Sequence, residues 1–453
     1  MFVLSFNKLI GQQFHYSPAV MYDRDEYNLL VAGKSGNTFH AFQLHVQKKP
    51  VLWRFDSSLQ PLSSAPADIP LYDPRQANFI TFSNHYFLFC TLAANKQAPY
   101  QVYKIDASGK IENQTAVFQP LVGNNIKTAG FSVVKVNNKL FILSATALPF
   151  ERKSIITVKI TDSHFHLLHE VKLSIDFNAA QETIQQLLIT NDSTAIILKT
   201  GETKKGVTKI AIYRFNLQTG LGNSVFYSSD TFLFAESLIY ANDAGEQLSL
   251  VSTVLSFQRD SISRKWQSKI FLAHLNDSLA EILPSDIIDI SDSPEGSYPG
   301  FFRPYKIQHL PGNNFVLFST IASGSTKIKL TEGSYYDNDT KSIRMTWINS
   351  SLHIQQDTIL LNTDWRTEIN FSQGLLHSAY NQLRALYTVI IRGHQKGVIR
   401  YSFNAKDGIT EQLLVMDPSI EHLFRGAIQT DDQSYIFPYR KNKKIGLGIV
   451  SFR

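Results

Sequence analysis

The chain has 453 residues, of which 43% are apolar, 12% aromatic and only 18% charged. That balance excludes a disordered or low-complexity chain and favours pleated, half-buried strands over solvated helices. The net charge of +6 is spread along the sequence and lacks the concentrated basic face of a nucleic-acid binder; no run of 18 apolar residues spans a membrane as a helix.

Read in chain order, one phrase recurs. A polar turn leads into an apolar strand, a loop, an alternating strand, and a hairpin into a polar strand. Asp25-Glu26 leads to YNLLVAG, Asn84-His85 to YFLFCTL, Asn137-Asn138 to LFILSAT and Asn191-Asp192 to TAIILKT. Gly245-Glu246 then leads to LSLVSTV, Asn313-Asn314 to FVLFSTI, Asn381-Gln382 to LRALYTV and Asp431-Asp432 to a run ending YIFPY. The alternating strand reads AFQLHV, QVYKID, TVKITD, AIYRFN, IFLAHL, RMTWIN, IRYSFN and GIVSFR in successive copies. Its period of two marks a strand with one buried face. Some of these strands end in a turn, as at Asp106 to Gly109 and Asn404 to Gly408.

The last copy stops after its third strand at Arg453, and Phe2–Ile10 is available to supply the missing one. A four-stranded unit cannot bury both faces alone and must stack on its neighbours. Stacked β-sandwiches also give regularly spaced strands, but they seldom repeat one phrase at this period. The chain therefore resembles the β-propeller superfamily over its whole length. The resemblance implies one all-β domain over 1–453, an eight-bladed β-propeller of four-stranded antiparallel blades closed by an N-terminal strand. No narrower family is indicated. No Trp-Asp ends the third strand, no paired-glycine kelch pattern or sialidase box occurs, and four Trp are too few for tryptophan docking repeats.

The single cysteine, Cys90, lies in the apolar run Tyr86–Leu92 and reads as a core thiol. His164, His166 and His169 form the most metal-like cluster, but on a strand they do not share one face. Asp337 with Asp339, and Asp289 with Asp292, fit ordinary turn chemistry better than calcium loops. The basic group Arg440, Lys441, Lys443 and Lys444 reads as a solvated hairpin tip. No nucleophile elbow, phosphate loop or dinucleotide fingerprint is present, so no cofactor is expected.

In a propeller, residues just before each inner strand line the mouth of the central channel. Counting back from the turns gives His15, Arg75, Lys127, Glu182, Glu236, Arg303, Glu368 with Gln373, and Arg425. A ring of mixed charge there suits a carboxylated sugar or an acidic peptide, with Arg75, Arg303 and Arg425 in one funnel. Solvated loop residues are the plainer account of the same positions.

Two functions follow. One is a non-catalytic binding or scaffold propeller, an accessory subunit of a cell-envelope assembly with a protein or glycan partner. The other is a carbohydrate-active lyase or hydrolase on an anionic polysaccharide, with His15 or His377 as base, or Glu182 and Glu236 as the carboxylate pair. MFVLSFNKLI is broken by Lys8 too early to be a signal peptide. Low charge with abundant Asn, Ser, Thr and Tyr points to an extracytoplasmic location with the signal removed, a cytoplasmic one being the alternative.

Overall fold

The computed structural model describes residues 12–21, 29–45, 48–71, 77–91, 100–114, 127–202, 208–241, 247–259, 264–289, 301–310, 314–322, 342–361, 367–379, 382–391, 395–404, 408–414, 417–424, 427–431 and 433–452. In several strands it describes the backbone alone.

Eight antiparallel sheets follow one another along the chain. Blade 1 pairs Leu29–Ser35, Thr38–His45, Lys48–Phe55 and Pro61–Pro66 in sequence order. Blade 2 is Ala77–Thr81, His85–Thr91, Tyr100–Asp106 and Ile111–Asn113. Blade 3 is Lys127–Val136, Lys139–Leu148, Lys153–Thr161 and Leu167–Asp176. Blade 4 is Glu182–Asn191, Thr194–Glu202, Thr208–Asn216 and Gly222–Ser229. Blade 5 is Phe232–Ala241, Leu248–Arg259, Arg264–Leu275 and Glu281–Asp289. Blade 6 is Phe301–Leu310, Asn314–Ala322, Ser342–Ile348 and Ile354–Leu361. Blade 7 is Thr367–Ala379, Gln382–Ile391, Gln395–Asn404 and Gly408–Leu414.

Blade 8 joins the two ends of the chain. Ile420–His422 and Ile428–Asp431 both pair with Ser434–Lys441, which pairs with Lys444–Phe452, which in turn pairs with Gln12–Tyr16. Closure by an N-terminal strand is the expected arrangement, but the strand is Gln12–Tyr16; the predicted Phe2–Ile10 lies outside the described residues. The protein is an eight-bladed β-propeller of four-stranded antiparallel blades.

The first copy of the repeat is corrected by one strand. LLVAGKS is the first strand of blade 1, not its second, and AFQLH is the second, not the third. The third strand is Lys48–Phe55. The true first turn is at Gly36, whose φ of +58° lies in the left-handed region. Asp25-Glu26 lies outside the described residues. The seven remaining third strands fall where the alternation puts them.

Two compact units emerge. One comprises Met1–Gln119 with Asn362–Arg453, the other Pro120–Leu361. In the first unit Phe42, Leu88 and Cys90 bury between blades 1 and 2, and Ala41, Phe55, Ile436 and Leu447 between blades 1 and 8. In the second, Phe141, Leu143, Ile156 and Val158 of blade 3 meet Ile184, Leu187, Ile197 and Ala211 of blade 4. Cys90 is fully buried, and burial pushes its thiol up to about 12. The native protein is therefore expected to ignore a thiol reagent such as Ellman's, and to release one equivalent of thiol per chain only on unfolding. Prompt reaction of the folded protein would show that this core is open.

The hairpins between third and fourth strands share a device that the repeat did not reveal. In blades 1, 2, 3, 5 and 6 they begin with Asp56, Asp106, Asp162, Asn276 and Asn349. The side-chain oxygen of each accepts N–H bonds from the residues two and four positions on, at 2.8–3.0 Å. The residue three positions on takes a positive φ: Leu59, Gly109, Phe165, Leu279 and Leu352, between 62° and 84°. For a bulky side chain that conformation costs ~1–2 kcal/mol. Leu59, Phe165, Leu279 and Leu352 are all buried. Burying such a side chain stabilises by roughly 1.5–3 kcal/mol, which offsets the strain and nails the hairpin to the blade edge.

This device also relocates the histidine cluster. His164 and His166 sit in the hairpin turn on Asp162, with His166 Nδ1 at 3.0 Å from the Asp162 carboxylate. Only His169 is on the outer strand, opposite Ile160. Among the described residues no group of three His, Cys, Asp or Glu is disposed to hold a metal ion, and no helix is long and apolar enough to cross a membrane.

Candidate functional site

The expected site residues fall on a repeated backbone feature. Lys127, Glu182, Glu236 and Arg303 lie in the first half of the first strands of blades 3, 4, 5 and 6. Each of these strands slips register there, between Thr128 and Gly130, Ile184 and Gln186, Phe234 and Ser237, and Pro304 and Lys306. A bulge re-aims side chains and ends regular pairing, which suits a functional edge. Of the four, Glu182 is the one whose side chain is described. Arg75 and Arg425 lie outside the described residues. His15 does not precede an inner strand: it is exposed on the closing strand of blade 8, opposite Ile449. Its position followed from the first copy of the repeat, which is read one strand out.

Glu182 opens blade 4 at the end of its core with blade 3. Along the facing surface of blade 4 the residues run Ile197, Lys199, Gly201 on one strand and Tyr213, Ala211, Lys209 on the next. The apolar layer therefore gives way to Lys199, whose side chain is only 6% exposed. A cation this deep is retained only when paired and hydrogen-bonded. Its ammonium donates to both Glu182 oxygens at 3.0 Å and to the Asp176 backbone carbonyl, and lies 5.6 Å from the Tyr213 ring centre. The Glu182 carboxylate also accepts the Asn178 N–H at 2.7 Å. Gly201 makes room for it: a Cβ there would stand 2.6 Å from the Glu182 side chain and 2.9 Å from the Gln181 carbonyl.

Above this ion pair is a cavity of about 180 Å³. Asp176, the last residue of the blade 3 outer strand, forms one wall. Thr200, Lys209, Tyr213 and Phe226 of blade 4 form the others. Thr200 Oγ1 accepts from Gln185, the residue squeezed out by the bulge, at 2.8 Å. Phe226 is 58% exposed and sets its ring against Tyr213, centroids 5.9 Å apart at 87°. Burial, then the Asp176 and Glu182 charges, push the Tyr213 hydroxyl up to about 12, so it stays a protonated donor. Among the described residues, no hydrogen bond or ion pair occupies the Tyr213 hydroxyl, the Lys209 ammonium or the Asp176 carboxylate.

Chemically the site divides in two. Glu182 and Lys199 are spent on each other and on the backbone. The cavity beyond offers one cation, one anion, hydroxyl groups and an exposed aromatic face. That is an inventory for binding. The signal for it in the sequence is Lys199 itself, a lone charge in the buried strand TAIILKT with a glutamate 17 residues before it.

No known protein family matches the sequence, and no curated protein resembles it. Among solved structures, the chain is similar to the WD40 domain of SCAP from fission yeast, at 9% identity over 97% of this chain and 98% of that one, with a TM-score of 0.42. It is also similar to the BP39L lectin from Burkholderia pseudomallei, at 12% identity over 86% of this chain and 99% of that one, TM-score 0.42. The β-propeller domain of the Trilobed protease from Pyrococcus furiosus follows, at 10% identity over 86% and 98%, TM-score 0.38.

Proposed function

We propose that this propeller is a non-catalytic binding protein that engages its ligand at the blade 3–blade 4 cavity, as an accessory or scaffold component. The observation that carries the reading is the internal neutralisation of the Glu182–Lys199 pair beneath Asp176, Lys209 and Tyr213 groups that have no hydrogen-bond or ion-pair partner among the described residues. Acid–base catalysis needs a group poised to gain or lose a proton. Here the deep carboxylate is held by three hydrogen bonds, and what faces solvent is suited to recognition. The setting we propose is extracytoplasmic, within a cell-envelope assembly, in keeping with the low charge and the polar, aromatic-rich composition.

Glycan and peptide arrays probed with the full chain and with Phe226→Ala test this reading. The expected result is a ligand retained by the wild type, lost by the variant and recovered chemically intact. A retained ligand that comes back cleaved or unsaturated would overturn the non-catalytic assignment. Retention equal in both proteins would remove the cavity from it.

A further inference from the structure

We infer that the blade 3–blade 4 cavity is a subsite for a single neutral pyranose residue. The inference rests on the binding reading above and names the ligand class. Size comes first. A cavity of about 180 Å³ exceeds the ~150 Å³ that admits one benzene ring, and so holds one six-membered ring. It does not hold a disaccharide without leaving part of it in solvent.

Charge comes second. Four ionised side chains line the cavity, Asp176 and Glu182 against Lys199 and Lys209. Glu182 and Lys199 cancel at 3.0 Å, leaving one exposed carboxylate and one exposed ammonium. An anionic sugar gains from Lys209 and meets Asp176; a cationic ligand meets the opposite conflict. A neutral polyol has no such conflict. Its hydroxyl groups donate to Asp176 and accept from Lys209 and Tyr213, and each partner is otherwise unoccupied among the described residues.

Shape comes third. A pyranose has hydroxyl groups round its rim and an apolar C–H face. Phe226 presents an exposed ring at the edge of the cavity, fixed edge-on by Tyr213 and backed by Ala211 across the strand pair. An exposed aromatic beside converging polar groups serves a ligand that is apolar on one face and polar on its rim. A zwitterionic amino acid matches the two charges but leaves that ring unused.

Saturation-transfer NMR and calorimetric titration of the full chain test this. The probes are the methyl glycosides of glucose, galactose and fucose, with glucuronate and glycine as charged comparators. At least one neutral glycoside is expected to bind saturably in the millimolar range or tighter. Phe226→Ala is expected to weaken it about tenfold, and Tyr213→Phe about fivefold, the latter by removing one hydrogen bond while keeping the ring. Phe226 is exposed, so its variant reports on binding and not on folding. Glucuronate is expected to bind no better than the glucoside.

The inference is overturned if no glycoside saturates, if glucuronate or glycine is preferred, or if both variants bind as the wild type does. If it falls while an array ligand of another class is still lost by Phe226→Ala, the binding reading survives without the sugar. If Phe226→Ala retains every ligand of the wild type, both fall.

Discussion

Glu182→Ala is expected to destabilise the second unit by about 3–5 kcal/mol, the cost of stranding a buried charge. Lys199 would keep the Asp176 carbonyl and the Tyr213 ring but lose its anionic partner, with its side chain 6% exposed. The double variant Glu182→Gln with Lys199→Met should return most of that loss, because replacing a buried ion pair by uncharged groups of similar size is often neutral or better. Lys199→Met alone should cost less than Glu182→Ala. Glu182 is 19% exposed, keeps the Asn178 N–H and retains some access to water. Urea unfolding, with hydrogen exchange of the Thr194–Glu202 amides as a local probe, measures each step. A Glu182→Ala loss under about 1 kcal/mol would place the pair among ordinary surface salt bridges and remove the floor on which the cavity rests.

The same pair shows how far the residues alone carry the argument. Apolar alternation placed seven of the eight third strands because it reports burial directly, and burial is what these sheets are made of. Asn137-Asn138 was legible as a turn because both residues tolerate positive φ, and they take 46° and 63°. The basic tip at 440–444 was legible because a charge cluster lies between two strand-like runs, and Asn442 and Lys443 take φ of 46° and 59° there. The first copy was misread because Asp25-Glu26 resembles a turn as well as Gly36-Asn37 does, and LLVAG and AFQLH each carry enough apolar residues for a buried strand. A pattern of burial does not say which of two adjacent buried strands comes first. The buried leucines at positive φ were invisible for a different reason. Leu59, Leu279 and Leu352 violate local preference, and the hydrogen bonds of the Asp or Asn three residues earlier, together with the burial of the leucine itself, hold them there. Lys199 with Glu182 was half legible: position picked out Glu182, but its partner depends on how blade 4 packs against blade 3.

Lowering the pH from 7 to 4 is expected to destabilise the first unit by about 3 kcal/mol for each of two histidines. His40 is fully buried against Tyr86, ring centroids 5.4 Å apart, and among the described residues neither ring nitrogen meets a partner at hydrogen-bond geometry. Burial, then the neighbouring Arg54 charge, lower it to about 4; the Ala107 backbone and Asp106 oppose the shift without cancelling it. His422 is fully buried among Phe14, Phe424 and Phe437, with its Nε2 2.8 Å from the Tyr16 hydroxyl of the closing strand. Burial lowers it to about 4 as well, against the pull of Asp417. Both groups bind a proton in the unfolded chain near 6.5 and in the folded protein only near 4. Stability is therefore whole above about 6.5, declines as the pH falls through that interval, and loses nothing more from these groups below 4. The carboxylates act later. Asp417, held at about 2 first by Lys441 and then by Ser419, begins to lose its contribution only below about 4. Urea midpoints at pH 7.5, 5.5, 4.5 and about 3 separate the two ranges. His422→Phe keeps an aromatic ring among aromatic neighbours and removes one titrating group, so it should remove about half of the decline between pH 7.5 and 4.5. It should be less stable than the wild type at neutral pH, where the Tyr16 bond is lost, and should close the gap at acid pH. A variant whose pH profile runs parallel to that of the wild type would show that His422 does not lock the closing strand in its neutral form.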